Sequence, residues 1–273
     1  MRYVAAFLGS VIGLSGLAAS APAPAVSDPV DLELVLAVDV SGSMDYYEQG
    51  LQRGGYVAAF RHPEVINAIG LGAYGRIAVT YVEWAGPFLQ SVTVPWRIIA
   101  SRDDSFAFAA ELESAPITSM RGTSISDGLM FAATQFGYSD RQGLRRAIDI
   151  SGDGPNNMGF PVAPMRDELV AQGITITGLP IVIRPGLGGG PSGVVPLDIY
   201  YEDCVIGGPG AFMITVDDPS RFEVAIRRKL VLEIAGLTPR VMPAAATFDS
   251  QPRVDCLIGE RSRGGFFFEP TLR

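Results

Sequence analysis

Seven residues, Leu32-Glu33-Leu34-Val35-Leu36-Ala37-Val38, are apolar at all but one position, and the run stops abruptly at Asp39-Val40-Ser41-Gly42-Ser43. So apolar a run suits a strand covered on both faces, the situation of a strand inside a parallel sheet. Parallel strands need crossover connections, usually helical, so the run points to an α/β chain. The five residues after the run are equally restrictive. A carboxylate, two hydroxyls and a glycine sit where the carboxyl end of such a strand opens into a crevice, the place where open α/β sheets bind ligands. Only oxygen donors are on offer, which is the set a hard divalent cation prefers.

The remaining chain alternates in the same way. Met44 to Phe60 has helical spacing, and its start lies close to the Ser-Gly-Ser turn, so the helix dipole faces that turn. Ile77 to Trp84 is rich in β-branched and aromatic residues. Gln90 to Ile99 reads as a further strand, placed at an edge by Pro95. Helical spacing returns over Ser105–Ser114, again from about Ser126 to Phe136, and over Met165–Gln172. Arg145 to Ser151 and Ile174 to Ile183 read as strands, and Phe212 to Val216 as the last one. Asp218-Pro219 then caps a closing helix whose apolar stripe is Phe222, Ile226, Leu230 and Ile234. Arg184 to Gly193 is a Gly/Pro-rich excursion, and Tyr200 to Gly210 reads as irregular. The expected fold is a doubly wound, mostly parallel α/β sheet with helices on both faces.

A chain of 273 residues is long enough for a large core, and 48% hydrophobic with 18% charged residues is a globular balance. The net charge of −8 gives no electrostatic reason to expect nucleic acid or an anionic membrane as a partner. Residues 1–25 read as a signal peptide: Arg2, an uncharged apolar run from Val4 to Ala19, and Ala23-Pro24-Ala25 before the cut. Ala19-Ser20-Ala21 is a second cleavage candidate, and an uncleaved anchor is the alternative reading. Cleavage implies a periplasmic or secreted protein with no stable membrane insertion. The two cysteines, Cys204 and Cys256, then invite a disulfide, with two unpaired thiols as the alternative. The domain is expected over 26–236, with 237–273, including Phe266-Phe267-Phe268, as an extension packed on it.

Three loops share one chemistry. The first carries Asp39, Ser41 and Ser43. The second, Arg121-Gly122-Thr123-Ser124-Ile125-Ser126-Asp127-Gly128, brings Thr123, with Asp127 read as a helix-start residue. The third, Gly152-Asp153-Gly154-Pro155-Asn156-Asn157, brings Asp153; Asn156 and Asn157 rim the site or serve the turn. Mg²⁺ takes near-octahedral oxygen coordination and keeps water, which three hydroxyls and two carboxylates could supply with one position left for an outside ligand. Mn²⁺ accepts the same set. A capped strand-to-helix turn explains one such loop by itself, but not three in register.

Asp-x-Ser-x-Ser after the first strand, a Gly-Thr loop, and a strand running into Gly-Asp-Gly together resemble the metal-ion-dependent adhesion site of von Willebrand factor A domains. The likeness covers roughly residues 30–236. Ile-Ser-Gly-Asp-Gly-Pro-Asn-Asn and Val-Ile-Gly-Gly-Pro-Gly-Ala-Phe narrow it to a bacterial exported family of such proteins of unknown function. The resemblance implies a six-stranded sheet with one short antiparallel edge strand, for which Gln90–Ile99 is the candidate. It implies that Ser41, Ser43 and Thr123 bind the ion directly, that Asp39 and Asp153 do so directly or through water, and that a protein ligand completes the shell with an acidic residue.

Other chemistry finds less support. His62, the one histidine, sits in an Arg-His-Pro turn and reads as solvent-facing or helix-ending. No G-x-S-x-G elbow, phosphate loop or complete dinucleotide fingerprint occurs. The reading is an exported, metal-dependent protein-binding domain and not an enzyme. The alternatives are a Mg²⁺-dependent hydrolase at the same site and a scaffold with a structural metal. Asp149, inside an apolar strand, needs a partner: it pairs with Arg145 or Arg146, or holds groups behind the site, and a structural role is the preferred reading.

Overall fold

A computed structural model describes residues 28–183, 196–237 and 252–262. The expected cleavage site, the excursion beyond residue 183 and Phe266–Phe268 lie outside these residues. The sheet has the order β3-β2-β1-β4-β5, built from β1 (Leu32–Asp39), β2 (Ile77–Trp84), β3 (Gln90–Ile99), β4 (Arg146–Gly152) and β5 (Ile174–Pro180). β1 pairs in parallel with both β2 and β4, and β5 extends the parallel set from β4. β3 alone runs antiparallel, at the edge where Pro95 placed it.

All eight residues of β1 are buried. They alternate strictly between two cores, as a period of two requires: Leu32, Leu34, Leu36 and Val38 in one, Val35 and Ala37 in the other. The first core is covered by α1 (Tyr46–Arg61), α2 (Pro63–Gly70), α3 (Arg102–Ser114) and α7 (Phe222–Ala235). The second is covered by α4 (Ile125–Gln135), α5 (Val162–Ala171) and α6 (Leu197–Tyr200). The stripe Phe222, Ile226, Leu230 and Ile234 is buried as its spacing predicts. α7 comes close enough to α1 that a Cβ at Gly55 would lie 2.6 Å from Ile226 Cδ1.

Two expectations change. The sheet has five strands among the described residues, where six were expected. Phe212–Val216 does lie beside β5, but only as two parallel bridges, Gly178↔Met213 and Ile181↔Val216. The reason is one missing donor. Gly178 N–H bonds Phe212 O, Ile214 N–H bonds Gly178 O, and Val216 N–H bonds Pro180 O. The next rung needs an N–H at residue 180, and proline has none. The first half of the segment Tyr200–Gly210 is not irregular: α6 runs into a π-helical turn, Tyr201–Val205, and only 206–210 lacks regular structure. It carries Cys204, which is disulfide-bonded to Cys256. Closing a loop with sequence separation 52 stabilises the fold by about 4 kcal/mol in the chain-entropy picture.

Asp149 is also resolved differently. Arg145 donates to Glu233 O and Ile234 O at the end of α7, and Arg146 pairs with Glu33. The partner of Asp149 is Lys229, from α7.

Candidate functional site at the carboxyl edge of the sheet

In the order β3-β2-β1-β4-β5 the chain leaves β1 toward β2 on one side and reaches β4 on the other. The connections diverge between β1 and β4, which opens a crevice at their carboxyl ends. Asp39 ends β1, and Asp153 follows the last residue of β4. The crevice is therefore where the first and third polar loops meet.

Their side chains form a continuous row. Asp39 is fully buried and accepts the Ser41 N–H at 2.7 Å through Oδ1. Ser41 Oγ lies 2.9 Å from Ser43 Oγ, and Ser43 Oγ donates to Asp153 Oδ1 at 2.7 Å. Gln49 of α1 braces the loop from below by donating to Val40 O and Met44 O, at 3.4 Å each. Asp45 caps α1 in a reciprocal capping box with Glu48.

Thr123 arrives by backbone pairing. Met120 N–H bonds Val40 O, Gly86 N–H bonds Arg121 O, and Ser124 N–H bonds Ala85 O. These bonds lay the second loop along the first and along the end of β2. The third loop holds it from the other side: Asn157 N–H bonds Thr123 O at 2.9 Å, and Thr123 N–H bonds Asn157 Oδ1 at 3.2 Å. Thr123 itself is buried. Ser41, Ser43 and Asp153 are thus joined through side chains, Asp39 joins them through the Ser41 N–H, and Thr123 is placed by its backbone. Asp127 belongs to the start of α4, where Ser124 caps the helix and bonds its carboxylate.

The row ends in an unmet demand. Asp39 Oδ2 is buried without a hydrogen-bond partner, and so is Tyr201 Oη. Both converge on Gly152: a Cβ there would lie 3.0 Å from Asp39 Oδ2 and 2.7 Å from Tyr201 Oη. Burial, and after it the charge of Asp153, push the Asp39 carboxyl well above the usual carboxylate range, while hydrogen bonds from Ser41 and the Asp153 backbone pull the other way. A buried carboxylate oxygen with no donor beside hydroxyl oxygens is a surrounding that a cation would relieve. Tyr201 is the residue the sequence did not reveal. Its position depends on the π-helical turn, for which no local pattern was visible.

Large apolar side chains stand exposed on the loops around this crevice. Phe88, between β2 and β3, is 93% exposed with φ +61°, and Phe160, just past the third loop, is 67% exposed. Tyr46 and Tyr47 open α1, and Met158 lies against Gly122. His62 is elsewhere, capping α2 by accepting the Glu64 N–H on Nδ1.

A family model described as "Protein of unknown function (DUF1194)" matches residues 29–238. The chain belongs to the DUF1194 family. No curated protein matches it by sequence. Among solved structures, this DUF1194 chain is similar to the pilus adhesin SpaC of Lactobacillus rhamnosus GG in its open conformation, at 15% identity and TM-score 0.56, over 77% of this chain and 30% of that one. It is similar to proximal thread matrix protein 1 of the mussel byssus, in a structure with a zinc-occupied MIDAS motif, at 16% identity and TM-score 0.53, over 77% and 48%. A von Willebrand factor type A protein from Catenulispora acidiphila matches at 16% identity and TM-score 0.50, over 76% and 43%. The chain spans half or less of the length of each. At these identities the likeness establishes the fold, which is von Willebrand factor A-like. Among the described residues no helix is long and apolar enough to cross a membrane.

Proposed function

We propose that this DUF1194 protein is an exported, metal-dependent protein-binding domain. Ser41, Ser43 and Thr123 hold the ion through their hydroxyls, and Asp39 and Asp153 hold it directly or through water. The observation that carries the reading is the oxygen row from Asp39 to Asp153, with the buried, unpartnered Asp39 Oδ2 at its end. The donors fit Mg²⁺ or Mn²⁺, and a structural neighbour's MIDAS motif takes zinc. With hydroxyls making up most of the shell, the ion keeps enough positive charge to attract a carboxylate from a partner.

Protein binding is preferred over hydrolysis because of the exposed rim. Phe88 and Phe160 offer exposed apolar area on the loops that follow β2 and the third loop, as the anchor residues of interfaces do. A hydrolase needs a general base near the ion, and His62 is committed to capping α2.

The test is a calorimetric titration of the protein with Mg²⁺ and Mn²⁺ beside Asp39→Ala, followed by chelator-sensitive capture of partners from envelope extract. Phe88→Gly, which relieves the positive φ as it removes the ring, is expected to leave cation affinity intact and weaken capture. Absence of cation binding by the parent protein overturns the reading. Turnover of phosphoesters in place of partner capture would move it to the hydrolase.

A further inference from the structure

The third loop is held from outside the sheet by a separate piece of the chain. Asn156 is completely buried and ties together four neighbours. Its Oδ1 accepts the Ser126 N–H at 3.1 Å, its Nδ2 donates to Phe160 O at 3.0 Å and to Glu260 Oε1 at 2.7 Å, and its backbone N–H donates to Tyr200 Oη at 3.1 Å. The next residue, Asn157, is the one that fixes Thr123 from both sides of its peptide unit. A buried amide with every partner in place holds its loop to one geometry.

Two of those partners come from elements that a bare sheet of this order does not need. Tyr200 lies on α6, and the adjacent Tyr201 brings its Oη against Gly152, which Asp39 Oδ2 also approaches. Glu260 lies on α8 (Ile258–Ser262), in the segment 252–262. These two pieces are fastened to each other. Cys204 is bonded to Cys256, Arg253 pairs with both Glu202 and Asp203, and Tyr200 Oη reaches Cys256 O at 3.5 Å. Gly259 backs directly onto Asn156 O and Pro155, leaving no room for a side chain.

We propose that α6 with its π-helical turn and the segment 252–262, stapled by Cys204–Cys256, form a brace that positions the ion-binding loops. Glu260 and Tyr200 are positioning residues acting through Asn156. The proposal rests on the metal-site reading for its consequence, which is that cation affinity depends on the disulfide and on Glu260. It does not rest on that reading for its structural content, which is that the brace sets the order of Thr123, Ser126 and Asn157.

The experiment compares the full chain with Cys204→Ser/Cys256→Ser, Glu260→Ala and Glu260→Gln. Two readouts are taken: Mn²⁺ affinity by calorimetry, and hydrogen exchange of the amides at 120–127 and 150–157, with β1 as internal reference. Loss of an outer positioning contact costs on the order of tenfold in metal affinity, so the cysteine pair variant and Glu260→Ala are expected to bind Mn²⁺ about tenfold more weakly. In both, the Thr123, Ser126 and Asn157 amides exchange faster while β1 is unchanged. Glu260→Gln keeps an acceptor for Asn156 Nδ2 and is expected to behave like the parent protein. Unchanged exchange at those amides in both disruptive variants overturns the brace, and faster exchange with Mn²⁺ affinity held at the parent value overturns its consequence for the site. If the parent protein itself binds no Mn²⁺, the metal-site reading falls and the exchange comparison alone decides the brace.

Discussion

Lys229 Nζ, on α7, lies 2.6 Å from Asp149 Oδ1, on β4, and both side chains are shut off from water. The ammonium also donates to Thr177 Oγ1 at 2.9 Å and pairs with Glu233 one turn along α7. Tyr56, from α1, closes the group by donating to Asp149 Oδ2 at 3.3 Å. Three elements are thereby joined to β4, the strand that delivers Asp153. Lys229→Met leaves Asp149 buried with no cation beside it. Breaking a buried pair from one side costs about 3–5 kcal/mol, to be read from urea unfolding. Lys229→Met/Asp149→Leu is expected to recover most of that loss; a double variant as unstable as the single one would contradict the pairing.

The same group makes stability depend on pH. Burial first, and the charge of Asp149 second, push the Glu233 carboxyl up to about 7, against the pull of Lys229 and Thr177. The folded state therefore holds a proton that the unfolded state releases near 4.5. That contribution is fully present below 4.5 and is lost as pH rises through 7, at most a few kcal/mol. Groups facing Glu233 are Asp149 on β4, Lys229 on α7, Thr177 on β5, Tyr56 on α1 and Arg145 just before β4. Glu233→Gln keeps an acceptor for Lys229 and Thr177 and removes the titration. Its melting temperature is expected to vary less between pH 4.5 and 7 than the parent's.

Asp39→Asn separates the ion from the fold. An amide oxygen at the same place still accepts the Ser41 N–H, and an uncharged group is cheaper to bury than a carboxylate. The variant is expected to melt no lower than the parent protein in chelator, and to show no upward shift with Mg²⁺ or Mn²⁺. The parent shift corresponds to about 2.7 kcal/mol at a cation concentration one hundred times the dissociation constant. A shift retained by Asp39→Asn would remove Asp39 from the site.

Gly152→Ala probes the floor of the crevice. The added methyl would meet Tyr201 Oη at 2.7 Å and Asp39 Oδ2 at 3.0 Å, with Trp84 at 3.4 Å behind them. Overpacking of this kind costs about 1–3 kcal/mol, and the displaced carboxylate is expected to weaken cation binding further. Gly154→Ala is the control, because nothing lies within 4 Å of a Cβ there. Equal effects from the two substitutions would mean that the third loop tolerates no change for reasons other than this contact.

Much of this could be read from the chain because the relevant signals are local. Asp39, Ser41 and Ser43 are nearly consecutive and come directly after a run that suits a buried strand, and Asp153 comes directly after another. The edge position of β3 was written in Pro95. What the sequence hides depends on residues far apart in the chain. Asp149 and Lys229 are brought together only when α7 docks, so the sequence offers only neighbouring arginines as partners, although the structural role it suggests for Asp149 holds. The sixth strand failed at Pro180, a residue on its neighbour. The π-helical turn at Tyr201–Val205 has no periodicity of its own, and with it Tyr201 was hidden.

The link between Cys204 and Cys256 has a practical consequence. It makes everything between them, Phe212–Val216 and α7 included, a covalently closed ring. A single backbone cut anywhere in that stretch would release no fragment, so the nicked protein would keep its mass apart from one water and migrate intact until its thiols were freed. Limited proteolysis of this protein has to be read on reducing and non-reducing gels side by side, and a band pattern that differs between the two locates the cut inside the ring.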